Sequence, residues 1–314
     1  MLSLSETKTL LVQTGKEVLD DDVPSLAAAI AYYAVFSLPP LLVAIVAIAG
    51  AVAGPGRVEA ALAEQIGGMA GGGVSDAVSG MIEQAGDLGS GLGAKIAGAL
   101  ALLFGASGAF GQLQKALNRA WEVEPEPESG LVRLVAKRLL SFGMVVTIAL
   151  LLLVSLAIDA VLGAAGTAAG DLLPSEAARV GITAASFALS LGVTAGLFAT
   201  VFKVLPDAEI RWRDVAVGAL VTAALFAIGK AAIGLYIGAS DPGSAFGAAG
   251  ALALILLWIY YTSLILLVGA EFTQIWATRY GAGIRPDDAA DDVHPLAQER
   301  PPAPRSGVTP AARS

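Results

Sequence analysis

The chain consists mainly of long apolar runs separated by short polar connections. Because a helix needs roughly 20 apolar residues to cross the hydrocarbon core of a bilayer, these runs predict membrane-spanning helices. In chain order the six predicted spans are Ala27–Val52, Ala94–Phe110, Leu139–Gly163, Val180–Val204, Val215–Ile237 and Phe246–Ile275. The predicted fold class is therefore all-α, a polytopic membrane protein with six transmembrane helices.

The connection between the first and second spans, Gly54–Gly93, is longer than a turn. Apolar residues recur there at helical spacing, in two groups separated by three glycines: Val58, Leu62, Ile66 and Met69, then Val74, Val78 and Ile82. This pattern predicts two short amphipathic helices in the first outer loop, which lie on the outer membrane surface or cap the bundle. The alternative is a packed hairpin with no partner.

The two ends of the chain differ in composition from the spans. Residues 1–24 are polar and lack the short charged start, apolar core and cleavage site of a secretory signal peptide, so they are predicted to form a cytoplasmic segment. Residues 25–280 are predicted to form the transmembrane domain. From about Arg285 onward, proline mixes with polar residues without apolar periodicity, so residues 281–314 are predicted to form a disordered cytoplasmic tail.

Most of the 19 lysine and arginine residues lie on one side of the predicted spans. That side includes the N-terminus, the second and fourth connections and the tail, whereas the opposite side holds Arg57, Lys95 and Arg179. Because positively charged residues accumulate in cytoplasmic connections, this asymmetry predicts that both termini are cytoplasmic. An even number of spans agrees with that orientation.

Composition excludes several classes of protein. The chain is 56% hydrophobic and only 15% charged, with a mean hydropathy of +0.72, whereas soluble domains carry about 25% charged residues. It has no cysteine and one histidine, His294, which excludes disulfides, thiol nucleophiles and Cys/His metal sites. A formal net charge of −8 argues against nucleic-acid binding. No catalytic residue, cofactor or metal is expected.

The first span contains the double proline Pro39-Pro40. Proline lacks a backbone N–H, so this pair is expected to kink or break the helix near the middle of the membrane. Broken helices border cavities in transporters, and the hydroxyls of Tyr32, Tyr33 and Ser37 lie just before the prolines. The alternative is a simple structural kink without a cavity.

Ionisable residues in or near the spans are few, and charge in hydrocarbon is costly, so each is a candidate for function. Asp159 and Lys230 fall about 30 Å and about 23 Å from the inner edge, and we predict that they approach each other at the outer mouth of a cavity. The alternative is that Lys230 extends to the outer headgroups while Asp159 caps its helix in water. Glu271 is expected near the cytoplasmic interface, either solvated or paired with Lys115 or Arg119.

Three segments together carry a family resemblance. Leu26–Leu41 resembles the pattern AALAYY…FS…P, and Gly105–Trp121 resembles G…LQ.ALNR.W. The third extends over the last three spans: Leu205-Pro206, Trp212-Arg213-Asp214, Gly218-Ala219, Lys230, Tyr236, Gly247-Ala248, Gly250, Trp258, Tyr260 and Gly269-Ala270-Glu271. In order and spacing these segments resemble the YihY/BrkB family of bacterial inner-membrane proteins, over roughly residues 10–280.

The resemblance implies a six-helix protein of the bacterial cytoplasmic (inner) membrane. Members of that family have been linked to serum resistance and, in one relative, to export of a lipid A precursor, which makes a transporter or translocator of an envelope lipid or small amphiphile the leading hypothesis. A structural protein that supports envelope integrity without transport is the alternative. Ribonuclease activity, with which the family was once associated, is not expected from a chain whose single histidine lies in the tail.

The candidate substrate or cavity residues combine the helix-breaking, polar and ionisable positions of the spans with those of the family patterns: Tyr32, Tyr33, Ser37, Pro39, Pro40, Asn118, Arg119, Asp159, Lys230 and Glu271. Membrane lipids are the expected partners. A homo-oligomer is left open, and no nucleic-acid partner is expected.

Overall fold

The computed structural model of the chain describes residues 3–70, 79–80, 83, 108–125, 176–240, 242–286 and 290–292. These residues are mostly helical. The helices are α1 (Leu4–Asp20), α2 (Val23–Ala53), α3 (Pro55–Ala70), α4 (described over residues 108–120), α5 (Glu176–Val204), α6 (Trp212–Ser240) and α7 (Pro242–Tyr280). The strands are β1 (Val123–Pro125), β2 (Ala208–Glu209), β3 (Arg285–Pro286) and β4 (Ala290–Asp292).

Four of the six predicted spans coincide with described helices: the first with α2, the fourth with α5, the fifth with α6 and the sixth with α7. Within the described residues, three stretches are long and apolar enough to cross a membrane: Ala184–Val204, Trp212–Ile233 and Leu252–Tyr280. The third predicted span, and the second apart from residues 108–110, lie outside the described residues. The number of six spans therefore stays a prediction.

Helix α3 corresponds to the first of the two amphipathic helices predicted in the loop after the first span. The second predicted helix lies mostly outside the described residues, where only residues 79–80 and 83 are assigned, as helix. One amphipathic helix in this loop is therefore confirmed, and the other stays a prediction.

Helix α1 was not predicted, because residues 1–24 are polar. Its start is a capping box, in which the Ser3 hydroxyl accepts from the Glu6 N–H and the Glu6 carboxylate accepts from the Ser3 N–H. One face buries Leu10 and Thr14, which are four residues apart, and the helix packs against α7 and α2. The N-terminal segment is thus an integral part of the helical bundle.

The double proline does not break the first span, and the kink expected there stays a prediction. Helix α2 runs without interruption from Val23 to Ala53, through both positions of the Pro39-Pro40 pair. Proline removes backbone hydrogen bonds, but membrane helices tolerate it where neighbouring groups satisfy the carbonyls that are freed. Because α7 packs along α2, the helix is held in place by tertiary contacts as well as by its own hydrogen bonds.

Four short strands depart from the all-α prediction and from the predicted tail. Strand β1, after α4, pairs antiparallel with β4, and β2, in the α5–α6 loop, pairs antiparallel with β3. Both β3 and β4 belong to the segment expected to lack regular structure, so that expectation is wrong for residues 285–286 and 290–292. The reason is tertiary, since isolated two- or three-residue strands are unstable and these gain their partners only from loops brought close by the helices.

Helices α6 and α7 are interlocked by two reciprocal glycine–threonine contacts. The Thr222 hydroxyl donates to the Gly218 carbonyl (2.8 Å) and the Thr273 hydroxyl to the Gly269 carbonyl (2.6 Å), each within its own helix. Across the interface, Thr273 fills the space over Gly218, and Thr222 fills the space over Gly269. Small residues allow helix backbones to approach closely, and the pairing fixes an antiparallel register between the two helices.

The buried core lies at the end of the bundle that carries most of the charged residues. Its largest fully buried apolar side chains are Phe202, Leu10, Leu117 and Leu267. The Trp121 ring meets the Phe202 ring edge to face at 5.8 Å, which joins the end of α4 to α5. Among the described residues, these large buried side chains come from α1, α4, α5 and α7.

Candidate functional site

The most unusual buried group of the described structure is the Glu271 carboxyl. Glu271 lies in the apolar stretch Leu252–Tyr280 of α7 and is only 1% exposed. Within the part of the chain that the structure describes, its Oε1 has no hydrogen-bond partner. Burying a carboxyl group without compensating partners is costly, so its retention in a membrane helix indicates a function.

Glu271 points away from α6 and towards α1. Gly269, which contacts α6, precedes Glu271 by two residues, and two residues correspond to about 200° around a helix. Three acidic groups act electrostatically on Glu271: Glu17 at the end of α1, Asp21 in the α1–α2 turn and Glu122 after α4. We call these four residues the acidic cluster.

The Asp21 side chain is in hydrogen-bonding contact with Glu271. Ionised carboxylates only accept hydrogen bonds, so a hydrogen bond between these two groups forms only when one of them carries a proton. The described residues include no lysine or arginine that forms an ion pair with Glu271. The cluster therefore combines a buried carboxyl, a hydrogen-bonded second carboxyl and two further acidic neighbours.

Two turns bring the acidic residues to Glu271. Asp21 is the C-cap of α1, and its N–H donates to the Glu17 carbonyl (2.8 Å), while the next residue, Asp22, adopts a left-handed conformation with φ 51°. Glu122 has φ 54° and ends α4 in the same way. A left-handed conformation costs a non-glycine residue roughly 1–2 kcal/mol, so packing at this end of the bundle must hold both turns.

Arg119 forms an ion pair with one member of this cluster, Asp21. Its Nε lies 3.4 Å from Asp21 Oδ1, and the two side chains are 52% and 25% exposed. Such a partly exposed pair is weak. The structure shows Arg119 paired with Asp21 and no ion pair between Arg119 and Glu271 among the described residues; Lys115 is exposed, and Glu271 is buried.

A second polar contact holds α4 against the loop between α5 and α6. The Asn118 amide donates to Asp207 Oδ2 (2.8 Å) and its carbonyl oxygen accepts from the Asp207 N–H (2.9 Å). The Gln114 amide donates to both carboxylate oxygens of Asp207 (3.1 Å each). The Lys203 ammonium group donates to the Ile210 carbonyl (2.7 Å) and so links the two ends of the α5–α6 loop. Asn118 therefore has a positioning role, since it anchors the end of α4 from which Glu122 reaches the cluster.

The hydroxyl candidates of the first span behave differently from one another. Tyr32 and Tyr33 are 58% and 45% exposed on α2, and Tyr32 contacts Phe36 edge to face at 4.9 Å. The hydrogen of the Ser37 hydroxyl is used inside the helix, where it donates to the Ala34 carbonyl (2.8 Å). The backbone of Pro39 and Pro40 is helical, as described above. The two tyrosines thus remain accessible, whereas Ser37 is buried.

The predicted pair of Asp159 and Lys230 is only half described. Lys230 is an exposed residue of α6, and Asp159 lies outside the described residues. The structure therefore gives no distance between the two residues, and their approach stays a prediction.

The sequence analysis missed Glu17, Asp21, Glu122 and Asp207. A signal for Asp21 was the run of three aspartates directly before the first span. A signal for Asp207 was the pair of Gln114 and Asn118, which lie four residues apart and so present two amides on one helix face. No sequence pattern indicated that Glu122 would meet Glu271, because that contact depends on how the helices pack.

The comparisons with known proteins agree on one family. A family model described as virulence factor BrkB matches residues 14–293. A UPF0761 membrane protein of Rhodospirillum centenum is 30% identical over 259 residues, which are 79% of this chain and 53% of that protein. A UPF0761 membrane protein of Paraburkholderia xenovorans is 30% identical over 180 residues, 55% of this chain and 38% of the relative. The chain therefore spans about half the length of the first relative and less of the second; no solved structure matches it.

Proposed function

The chain belongs to the BrkB family of membrane proteins, and from that premise we propose that it moves an envelope lipid or another small amphiphile across the bacterial cytoplasmic membrane. The proposed movement requires no covalent chemistry, cofactor or metal. It runs along the helical bundle, with both chain termini in the cytoplasm. Membrane lipids are the proposed partners.

The observation that carries this proposal is Glu271. Ionisable side chains inside membrane helices are rare, face the interior of a bundle and mark the pathways of substrates or ions. Glu271 fits each of these criteria, because it lies in an apolar helix, is 1% exposed and keeps an unpartnered oxygen within the described structure. A purely structural bundle gains nothing from such a group.

The face of α2 that carries Tyr32, Tyr33 and Phe36 adds support. All three rings are exposed, and Tyr32 contacts both of the others edge to face. Amphipathic aromatic side chains suit the boundary between apolar and polar parts of a lipid. This face is therefore the proposed contact surface for the translocated amphiphile.

Orientation is a separate part of the proposal. Reporter fusions near Pro125 and after Arg285 are expected on the cytoplasmic side, and a fusion after Gly238 on the outer side, because of the lysine and arginine asymmetry. A reversed pair of fusions would overturn this orientation. It would leave the proposed movement of lipid unaffected.

The function is tested by reconstitution of the full chain into vesicles that contain a fluorescent-headgroup phospholipid. Loss of fluorescence to a membrane-impermeant quencher measures movement between leaflets, with protein-free vesicles as the baseline. We expect faster movement with the wild-type chain than with Glu271→Gln, and no slowing with Glu209→Gln, an exposed residue of β2.

A second set of vesicles carries a single-chain amphiphile in place of the phospholipid and distinguishes the two substrate classes. If neither the phospholipid nor the single-chain amphiphile moves faster between leaflets than in protein-free vesicles, the proposal is contradicted. That result would favour the alternative of a structural protein that supports envelope integrity.

A further inference from the structure

The acidic cluster poses a specific electrostatic problem. The carboxyl groups of Glu17, Asp21 and Glu122, which come from two other parts of the chain, act electrostatically on that of Glu271. The Arg119 guanidinium forms an ion pair with Asp21, and the Arg119 side chain is half exposed. Glu271 itself is fully buried, and its Oε1 has no hydrogen-bond partner among the described residues.

The ligand that resolves this problem has to be positively charged and very small. A divalent metal ion needs several oxygen ligands arranged around one point. Among the described residues, no group of three or more carboxylate or histidine side chains has that arrangement. A proton needs only two oxygen atoms, and the contact between Asp21 and Glu271 supplies them.

We propose that Asp21 and Glu271 form a proton-binding site, in which one proton is shared between the two carboxyl groups. With the proton present, the pair is a hydrogen bond between α7 and the α1–α2 turn. Without it, two carboxylates in contact repel each other, with Glu17 and Glu122 adding to the repulsion. Release of the proton therefore pushes α1 and the end of α4 away from α7.

Arg119 stabilises the deprotonated state of the site. When the proton leaves, Asp21 keeps the guanidinium as its partner, and Glu271 is left as the buried charge. When the contact between Asp21 and Glu271 is lost, Asp21 therefore still has an ion-pair partner, whereas Glu271 has none. This asymmetry makes α7 the element whose surroundings change between the two states.

The proton site also identifies the coupling ion of the proposed lipid movement, and this part rests on the proposed function. Chains of acidic residues act as proton relays in membrane transporters. Because the cluster joins α1, α4 and α7, its two states change how the helices pack at one end of the bundle. A proton gradient across the membrane then provides the driving force.

Infrared spectroscopy of the full chain at pH 7 tests the site directly. Exposed carboxyl groups are ionised at this pH, so a carbonyl band of a protonated carboxylic acid that shifts in heavy water reports a buried proton. We expect the band in the wild type, its loss in Glu271→Gln and its retention in Glu209→Gln. Glu271→Gln keeps the size of the side chain and imitates its neutral form, so it is expected to fold.

Asp21→Asn tests whether the proton is shared. The amide replaces the second carboxyl group without a change of size, so the Glu271 band is expected to remain but to move in frequency. A wild type without the band, a band that persists in Glu271→Gln, or a band unmoved by Asp21→Asn would overturn the proposed site. None of these results depends on lipid movement.

Coupling is tested in the same vesicles as the proposed function, with a pH difference imposed in either direction. The wild type is expected to move the labelled lipid faster in one direction of the gradient, and Glu271→Gln is expected to lose this response. Lipid movement that ignores the gradient while the band is present overturns the coupling. A band without any lipid movement overturns the proposed function and supports the proton site, so the two failures are distinguishable.

Discussion

The reciprocal contact between α6 and α7 predicts that Gly269→Ala destabilises the protein, although alanine favours helices. A Cβ at position 269 would lie 2.8 Å from Thr222 Cβ and 2.9 Å from Thr222 Cγ2, and closer still to the hydroxyl. Carbon atoms in good contact are about 3.5–4.0 Å apart. The added methyl group therefore has no space unless the two helices move apart.

The magnitude follows from two opposing terms. Overpacking a well-packed interface costs about 1–3 kcal/mol, and the upper end applies here because the β-branched Thr222 is stiff and its hydroxyl is bonded to its own helix. Replacing glycine by alanine in a helix gains about 1 kcal/mol. The expected net loss is about 2 kcal/mol in the free energy of unfolding, which is about a 30-fold change in the folding equilibrium.

The assay is equilibrium unfolding of the detergent-solubilised chain, followed by helical circular dichroism. Gly192→Ala is the matched control, because no atom lies within 4 Å of a Cβ at this exposed position of α5. It is expected to stabilise the chain by up to about 1 kcal/mol. Equal stabilisation by Gly269→Ala would refute the argument.

A double-mutant cycle separates the steric term from other effects. Thr222→Gly removes the three atoms nearest to the new methyl group. In that background Gly269→Ala is expected to become stabilising, so the two substitutions are strongly non-additive. Additive effects would show that the cost of Gly269→Ala arises elsewhere.

Three further predictions concern other parts of the chain. Asn118→Ala is expected to lower the free energy of unfolding by about 1–3 kcal/mol in the same assay, because it removes two hydrogen bonds to the α5–α6 loop; unchanged unfolding would contradict this role. The backbone and side chain of Ser3 lower the pKa of Glu6 below its ordinary value of 4.5, so the bond from the Ser3 N–H to the Glu6 carboxylate is fully present above that pH and weakens as the pH falls through the lowered value. The first turn of α1 is therefore expected to lose hydrogen-exchange protection in this pH range in the wild type but not in Glu6→Gln, and an equal loss in both would argue against the cap. Reversing the charge of either Asp159 or Lys230 is expected to impair lipid movement, and exchanging both charges to restore it; a double variant no better than the singles would rule out the pair.

The pattern of apolar residues was sufficient for the class of protein and for most of its described helices. Runs of about 20 apolar residues have one low-energy solution in a bilayer, which is a helix that satisfies its own backbone hydrogen bonds. The boundaries of α5, α6 and α7 therefore follow the predicted spans closely. Family membership was also readable, since it depends on the order of short motifs along the chain.

The sequence also identified one member of the candidate site, Glu271, as a rare acidic residue in an apolar helix. It did not indicate whether that carboxyl is solvated, paired or buried. From the sequence, Arg119 was one possible partner of Glu271, because the two residues lie at a similar depth in the membrane. Depth along a helix does not show which face a residue occupies in the packed bundle. Only the structure joins Arg119 to Asp21 instead.

Tertiary structure alone decided the contacts that make the site. Glu17 and Asp21 are more than 240 positions from Glu271, and they meet it because α1 docks against α7. Residues 285–286 and 290–292 likewise form strands because the α5–α6 loop and the segment after α4 supply their partners. Local sequence determines what an element is when its environment is uniform, as in a bilayer, but polar groups at the end of a bundle take whichever partners packing brings to them.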